Sequence, residues 1–289
     1  MESGLAAVVF MGGLGFCLSA LLSLAHRYLS VTEDPLFEEI RERLPGNNCG
    51  ACGEAGCAAF ARALKEGKKS PAACTVASVE TKSSLAALLG VAVGETERRV
   101  ARLACAGGRN VARQISLYEG METCRSAALV AGGGKGCSWG CLGLGDCAVH
   151  CEFQAIGLSP QSLPVVDTMR CTACGDCVEV CPRDLFSLLP VNYHLFVACK
   201  NLLEGEAALD DCSVACTGCG LCAADAPDLI RIEKSLARID YGNIADEKRQ
   251  AIERCPTGAI VWLKESHVEH GFRARIPLRK SPLPVGGQF

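Results

Sequence analysis

From Gly4 to Ala25 the chain carries no charged residue, while polar and apolar positions alternate freely almost everywhere else. Such a run is long enough to cross a bilayer as one helix. His26 and Arg27 follow it at once, with only Glu2 and the terminal amine before it, and positive charge on that flank orients the rest of the chain toward the cytoplasm. Ser23-Leu24-Ala25 looks like a signal cleavage site. No Lys or Arg precedes the run, however, and it is longer than a signal core, so the pattern reads as an anchor. Beyond it, Asp34-Pro35 supplies a helix cap and first-turn proline, and Leu36, Phe37, Ile40 and Leu44 recur at helical spacing up to Pro45-Gly46. A second helix, CAAFARALKE, starts at Cys57 and stops at Gly67, and a short third falls within 75–94. Strand alternation appears only later. Leu229–Glu233 and Leu236–Asp240 flank a predicted hairpin at Lys234-Ser235, and Ile260–Leu263 reads as a closing strand.

The pattern predicts an α+β chain. Its parts are a transmembrane anchor (1–27), a small helical domain (28–94), a connecting segment (95–136), a compact domain (137–190), a second and degenerate version of it (191–264), and a basic tail (265–289) expected to be disordered. The tail gathers Arg273, Arg275, Arg279 and Lys280 among prolines and glycines.

Composition changes this picture in one respect. Hydrophobic residues make up 49% of the 289 positions, but 21 of them are cysteines and only 5% of the chain is aromatic. Domains with so little bulky apolar material lean on bound metal for stability. The net charge of −3 and the absence of basic runs with interleaved aromatics argue against nucleic acid as a partner. Gly132–Gly136 lacks the preceding strand and the Lys-Ser/Thr of a phosphate loop, and no flavin or nucleotide fingerprint is present.

The cysteine spacing then carries the chemistry. Cys171, Cys174, Cys177 and Cys181 follow C-x2-C-x2-C-x3-C-P, in which three thiolates wrap one cubic iron–sulfur cluster and the fourth reaches a neighbouring one. Cys151 therefore completes the set of Cys171, Cys174 and Cys177, and Cys181 joins Cys137, Cys141 and Cys147. Cys49, Cys52 and Cys57 lie among glycines that let the backbone approach a cluster, and Cys74 supplies their fourth ligand. Cys216, Cys219 and Cys222 form another triple closed by Cys255-Pro256. Ala226 stands where a further ligand belongs, and no second triple follows Asp240, so this part holds one cluster only. Structural zinc prefers well-separated C-x2-C pairs, and a disulfide framework needs an oxidising compartment. Four [4Fe–4S] clusters result, and Cys17, Cys105, Cys124, Cys199 and Cys212 are left over, the last four read as structural residues. His267 and His270 have no nearby cysteine pair and are not expected to be ligands.

The order of parts, and the phrases GNNCGACGEAGC and KGCSWGCLGLGDC, resemble the B subunit of the Rnf complex from residue 1 to about 190, with the further ferredoxin unit of its longer members. The resemblance implies an electron-carrying subunit of an ion-translocating oxidoreductase in the cytoplasmic (inner) membrane. Electrons would move between soluble ferredoxin and NAD, sodium or protons would be transported, and flavin- and NAD-handling subunits would be the partners. The chain would make and break no bonds of its own. The alternatives are a membrane-anchored polyferredoxin that serves a separate reductase or resets a redox sensor without pumping, and a zinc-binding scaffold.

Overall fold

The computed structural model describes residues 2–29, 34–94, 97–242, 248–264, 267–277 and 279–286. Its first element is helix α1 (Glu2–Leu29). The apolar part, Val9–Tyr28, buries nothing against the rest of the protein, and Phe10, Phe16 and Leu22 are each more than two-thirds exposed. A core helix would hide such side chains. At 1.5 Å per residue this stretch is about 30 Å long, the thickness of a bilayer's hydrocarbon layer.

The small helical domain follows. Asp34 caps α2 (Pro35–Arg43) by accepting from Leu36 N at 3.0 Å, and its carboxylate also pairs with Lys65 of α3 (Cys57–Lys65). A 3-10 turn (Pro71–Ala73) leads to α4 (Val79–Leu89), which Ser78 caps and Gly90 ends. Ile40, Leu44, Phe60, Leu64 and Leu85 meet between these helices, so the predicted apolar face of α2 is indeed core.

The next strand, β1 (Arg99–Leu103), lies inside the segment expected merely to connect domains. It is followed by α5 (Cys124–Leu129), α6 (Asp146–Val149), the hairpin β2 (Ile156–Leu158) and β3 (Pro164–Val166), α7 (Asp176–Glu179), and β4 (Phe186–Pro190), which pairs antiparallel with β1 from Leu103↔Phe186 to Arg99↔Pro190. Val100 and Ala101 on β1 are buried by this pairing, which is why an unremarkable RVARL belongs to the domain rather than to a linker.

The connectivity then repeats. Strand β5 (Leu195–Val197) is followed by α8 (Gly205–Asp211), α9 (Leu221–Asp225), the hairpin β6 (Ile230–Glu233) and β7 (Leu236–Ile239), α10 (Gln250–Glu253), and β8 (Ile260–Lys264), which pairs antiparallel with β5. Lys234 and Ser235 take φ of 48° and 60°, so the expected hairpin turn is the primed kind that fits strand twist. The two units match in detail: Ala104 N donates to Leu185 O at 2.8 Å, and Ala198 N to Ala259 O at 2.8 Å.

The tail differs from the expectation of disorder. Strand β9 (His267–Glu269) adds to β8. Farther on, Leu283 N donates to Arg109 O at 2.8 Å, Gly286 N to Gln114 O at 2.8 Å, and Gln161 Nε2 to Lys280 O at 2.7 Å. Backbone groups hold this segment, which is why its basic, proline-rich composition gave no sign of it.

Candidate functional site

The two units repeat a sequence as well as a connectivity. Cys137-Ser-Trp-Gly-Cys141-Leu-Gly143-Leu-Gly145-Asp-Cys147 corresponds to Cys212-Ser-Val-Ala-Cys216-Thr-Gly218-Cys-Gly220-Leu-Cys222. In each unit the cysteine loop packs against the tip of the following hairpin, and a glycine makes the approach possible. A Cβ on Gly143 would lie 2.6 Å from Ser162 O, and one on Gly218 would lie 2.9 Å from Ser235 O. Both glycines also take positive φ, 74° and 69°.

Two of the resulting cavities each gather four cysteines in the way one cluster needs. Cys151, Cys171, Cys174 and Cys177, grouped by their spacing, ring a cavity of about 320 Å³. Backbone N–H groups of Ala101 and Ala155 donate to Cys171 and Cys151 Sγ at 3.4 and 3.3 Å. Cys216, Cys219, Cys222 and Cys255, grouped in the same way, ring another of about 360 Å³. In the helical domain Cys49, Cys52, Cys57 and Cys74 fall in one neighbourhood: Cys52, Cys57 and Cys74 pack in the same core, and Cys49 and Cys74 both act on the Cys52 thiol. Asn48 Oδ1 accepts from Cys57 N at 2.8 Å and fixes the start of α3.

The remaining predicted set is corrected by the fold. Cys141, Cys147 and Cys181 do share a cavity of about 360 Å³, but its fourth cysteine is Cys124 on α5, and Cys137 lies elsewhere. The repeat explains the exchange. Where the second unit has Cys219 as the middle member of C-x2-C-x2-C, the first has Leu144, so the fourth thiol comes from α5 instead. The Asp146 carboxylate, 8% exposed, accepts from Cys124 N at 2.8 Å and Arg125 N at 3.2 Å, tying α5 to the residue beside Cys147. Cys105, Cys124, Cys199 and Cys212, set aside as structural from their isolation, therefore all stand at thiol-lined cavities. The signal that would have found Cys124 is Leu144 in the middle slot.

Burial pushes the thiols of Cys141, Cys147, Cys177 and Cys222 up to about 12, and that of Cys174 to about 11. Without a cation these sulfurs stay protonated, and binding iron releases their protons. All 21 cysteines are free of disulfides. Among the described residues no three His, Cys, Asp or Glu side chains converge on one point as a single ion requires. The thiols ring voids instead, which suits a cubic cluster with one sulfur at each iron corner. The peptide N–H groups at Sγ suit it too, since hydrogen bonds to sulfur set the potentials of such clusters.

A string of thiol-ringed cavities, behind a helix long and apolar enough to span a membrane, defines an iron–sulfur protein of the electron-carrying class. Comparison with known proteins agrees. A family model described as "Putative Fe-S cluster" matches residues 44–76, and one described as "4Fe-4S binding domain" matches 164–186. The chain is 36% identical to the B subunit of the Na(+)-translocating ferredoxin:NAD(+) oxidoreductase complex of Acetobacterium woodii, over 92% of this chain and 79% of that protein. It is 35% identical to the B subunit of the proton-translocating ferredoxin:NAD(+) oxidoreductase complex of Clostridium ljungdahlii, over 90% and 93%. It is 34% identical to the B subunit of the ion-translocating oxidoreductase complex of Methanosarcina acetivorans, over 81% and 89%. The chain belongs to the family of B subunits of ion-translocating oxidoreductase (Rnf) complexes, and is an iron–sulfur electron-transfer subunit of that kind.

Proposed function

We propose that this chain carries electrons between reduced ferredoxin and the flavin- and NAD-handling subunits of a complex that couples the transfer to sodium or proton transport. Two ferredoxin-like units and the helical domain hold the clusters. Helix α1 crosses the cytoplasmic membrane once, with the cluster-bearing domains on the cytoplasmic side, where His26 and Arg27 flank the span. The observation that carries this reading is the succession of thiol-ringed cavities downstream of one exposed apolar helix.

Bound clusters would accept and release single electrons. The protein's own part is to supply four cysteines per site, donate backbone N–H groups to their sulfurs, and exclude water. Leu185 N donates to Cys181 Sγ at 3.5 Å in this way. Burial of Cys147 and Cys177 in one core brings the neighbouring sites of the first unit together. Nicotinamide and flavin chemistry belongs to partners, since this chain has no fingerprint for either.

Purification of the chain from membranes under mild detergent tests the reading. Co-purification with polytopic subunits is expected, together with ferredoxin-dependent NAD reduction that is stimulated by sodium, or NADH-dependent ferredoxin reduction that is abolished when the proton gradient is collapsed. A chain that purifies free of polytopic partners, while still donating to a soluble reductase or redox sensor, would overturn it in favour of a simple membrane-anchored polyferredoxin.

A further inference from the structure

Cys105, Cys137, Cys199 and Cys212 wall one cavity of about 320 Å³, the size of the thiol-ringed cavities already described. It lies on the seam between the two units, and each unit contributes two of the cysteines at equivalent places. Cys105 follows the end of β1 by two residues, and Cys199 follows the end of β5 by two. Cys137 and Cys212 open the repeated cysteine motif. The sulfur environments repeat as well: Cys141 N donates to Cys105 Sγ at 3.4 Å, and Cys216 N to Cys199 Sγ at 3.3 Å.

Three further observations point to an occupant. Asn201 is 1% exposed and lines the cavity, with its Oδ1 accepting from Leu203 N but its Nδ2 lacking any partner. Burying an amide donor without an acceptor is unfavourable, so it marks a place where an acceptor is missing. The Lys135 ammonium reaches the cavity wall, donating to Gly107 O and Cys141 O at 2.6 Å each, and brings positive charge to a group of thiolates. Gly107 leaves room beside the sulfurs: a Cβ there would sit 3.1 Å from Cys212 Sγ and 3.6 Å from Cys105 Sγ.

We infer that Cys105, Cys137, Cys199 and Cys212 hold a fifth [4Fe–4S] cluster, shared by the two units. Each unit then places a ligand of the shared site four residues ahead of the first motif ligand of its own cluster, Cys137 before Cys141 and Cys212 before Cys216. The shared site is the link through which electrons pass from one unit to the other. Assembly is balanced by four thiols giving up four protons to solvent as four bonds form from cysteine sulfur to iron, with two ferrous irons, two ferric irons and four sulfides supplied from outside. With this site every cysteine except Cys17 is a cluster ligand. The inference goes beyond the proposed function and does not depend on which redox partners the chain serves.

Native mass spectrometry of the full chain in detergent, reconstituted anaerobically with ferrous and ferric iron and sulfide, counts the clusters directly. Five clusters and about twenty irons are expected. Cys105→Ala and Cys212→Ala, one from each unit, should each lose about four irons, and the double variant about four rather than eight, because both ligands serve one cluster. A maximum of four clusters, four clusters plus a zinc ion, or five clusters persisting in either variant would overturn the inference. A count of four on the unaltered chain does so even if the variants fail to fold, while leaving the electron-carrier reading in place.

Discussion

Arg254 clasps Asp225 with two bonds, Nε to Oδ2 at 2.9 Å and Nη2 to Oδ1 at 2.6 Å. The clasp joins α10 to α9 at the side of the second unit where the first unit keeps Cys151, Cys171, Cys174 and Cys177. Ala226 takes the place of Cys151, and Ala226, Ala251 and Ile252 are each 0% exposed. Apolar packing stands where the first unit has a thiol-lined cavity. Ala226→Cys should therefore leave the iron count unchanged, because the other three ligands are absent. Ile252→Ala should lower the unfolding free energy by about 2–5 kcal/mol through the cavity it leaves. Iron analysis checks the first, and chemical denaturation followed by loss of cluster absorbance checks the second.

The exchange of Cys124 for Cys137 can be tested by rescue. Cys124→Ala should cost about four irons from the site of Cys141, Cys147 and Cys181. Adding Leu144→Cys to that variant rebuilds C-x2-C-x2-C and should return them, as counted by iron and acid-labile sulfide. Failure of the second change to restore iron would mean that the two positions do not serve the same corner of the cluster.

Asp146 holds Cys124 in place without touching its sulfur. Asp146→Ala removes the acceptor for two N–H groups at the start of α5, of which the one on Cys124 is buried, and should destabilise the unit by about 1–3 kcal/mol. Asp146→Asn keeps one acceptor and should fall in between. The readout is the rate at which a chelator strips iron, which should rise most in the alanine variant.

Deleting residues 1–27 should give a brown protein that stays in solution, because α1 is the one helix among the described residues long and apolar enough to span a membrane. Partitioning of the truncated chain into washed membranes that lack its partner subunits would sink the anchor assignment.

The sites built from contiguous spacing were legible in the sequence. Cys171, Cys174 and Cys177 announce themselves because a single loop brings them together, and Cys216, Cys219 and Cys222 do the same. Cys124, Cys105 and Cys199 were not legible by that rule. Each is delivered by a different element, α5 or the end of β1 or β5, and only the closed β1–β4 and β5–β8 pairings bring it to its cavity. The Lys234-Ser235 hairpin was readable from alternation alone. The course of the tail was not, since Leu283 and Gly286 are held through backbone N–H groups that any residue type supplies.

The packed side of the second unit has a last consequence. A path that runs through the first unit and across the seam reaches Cys216, Cys219, Cys222 and Cys255, and beyond them stand Ala226, Ile252 and the Arg254–Asp225 pair, with no further thiol among the described residues. The chain is a wire with a blunt end. Cys219 is exposed, unlike the other fifteen cysteines of the thiol sets at Cys49–Cys74 and in the two units that serve the proposed function. Under the proposed function, the end of the wire opens to the surface at the Cys219 loop.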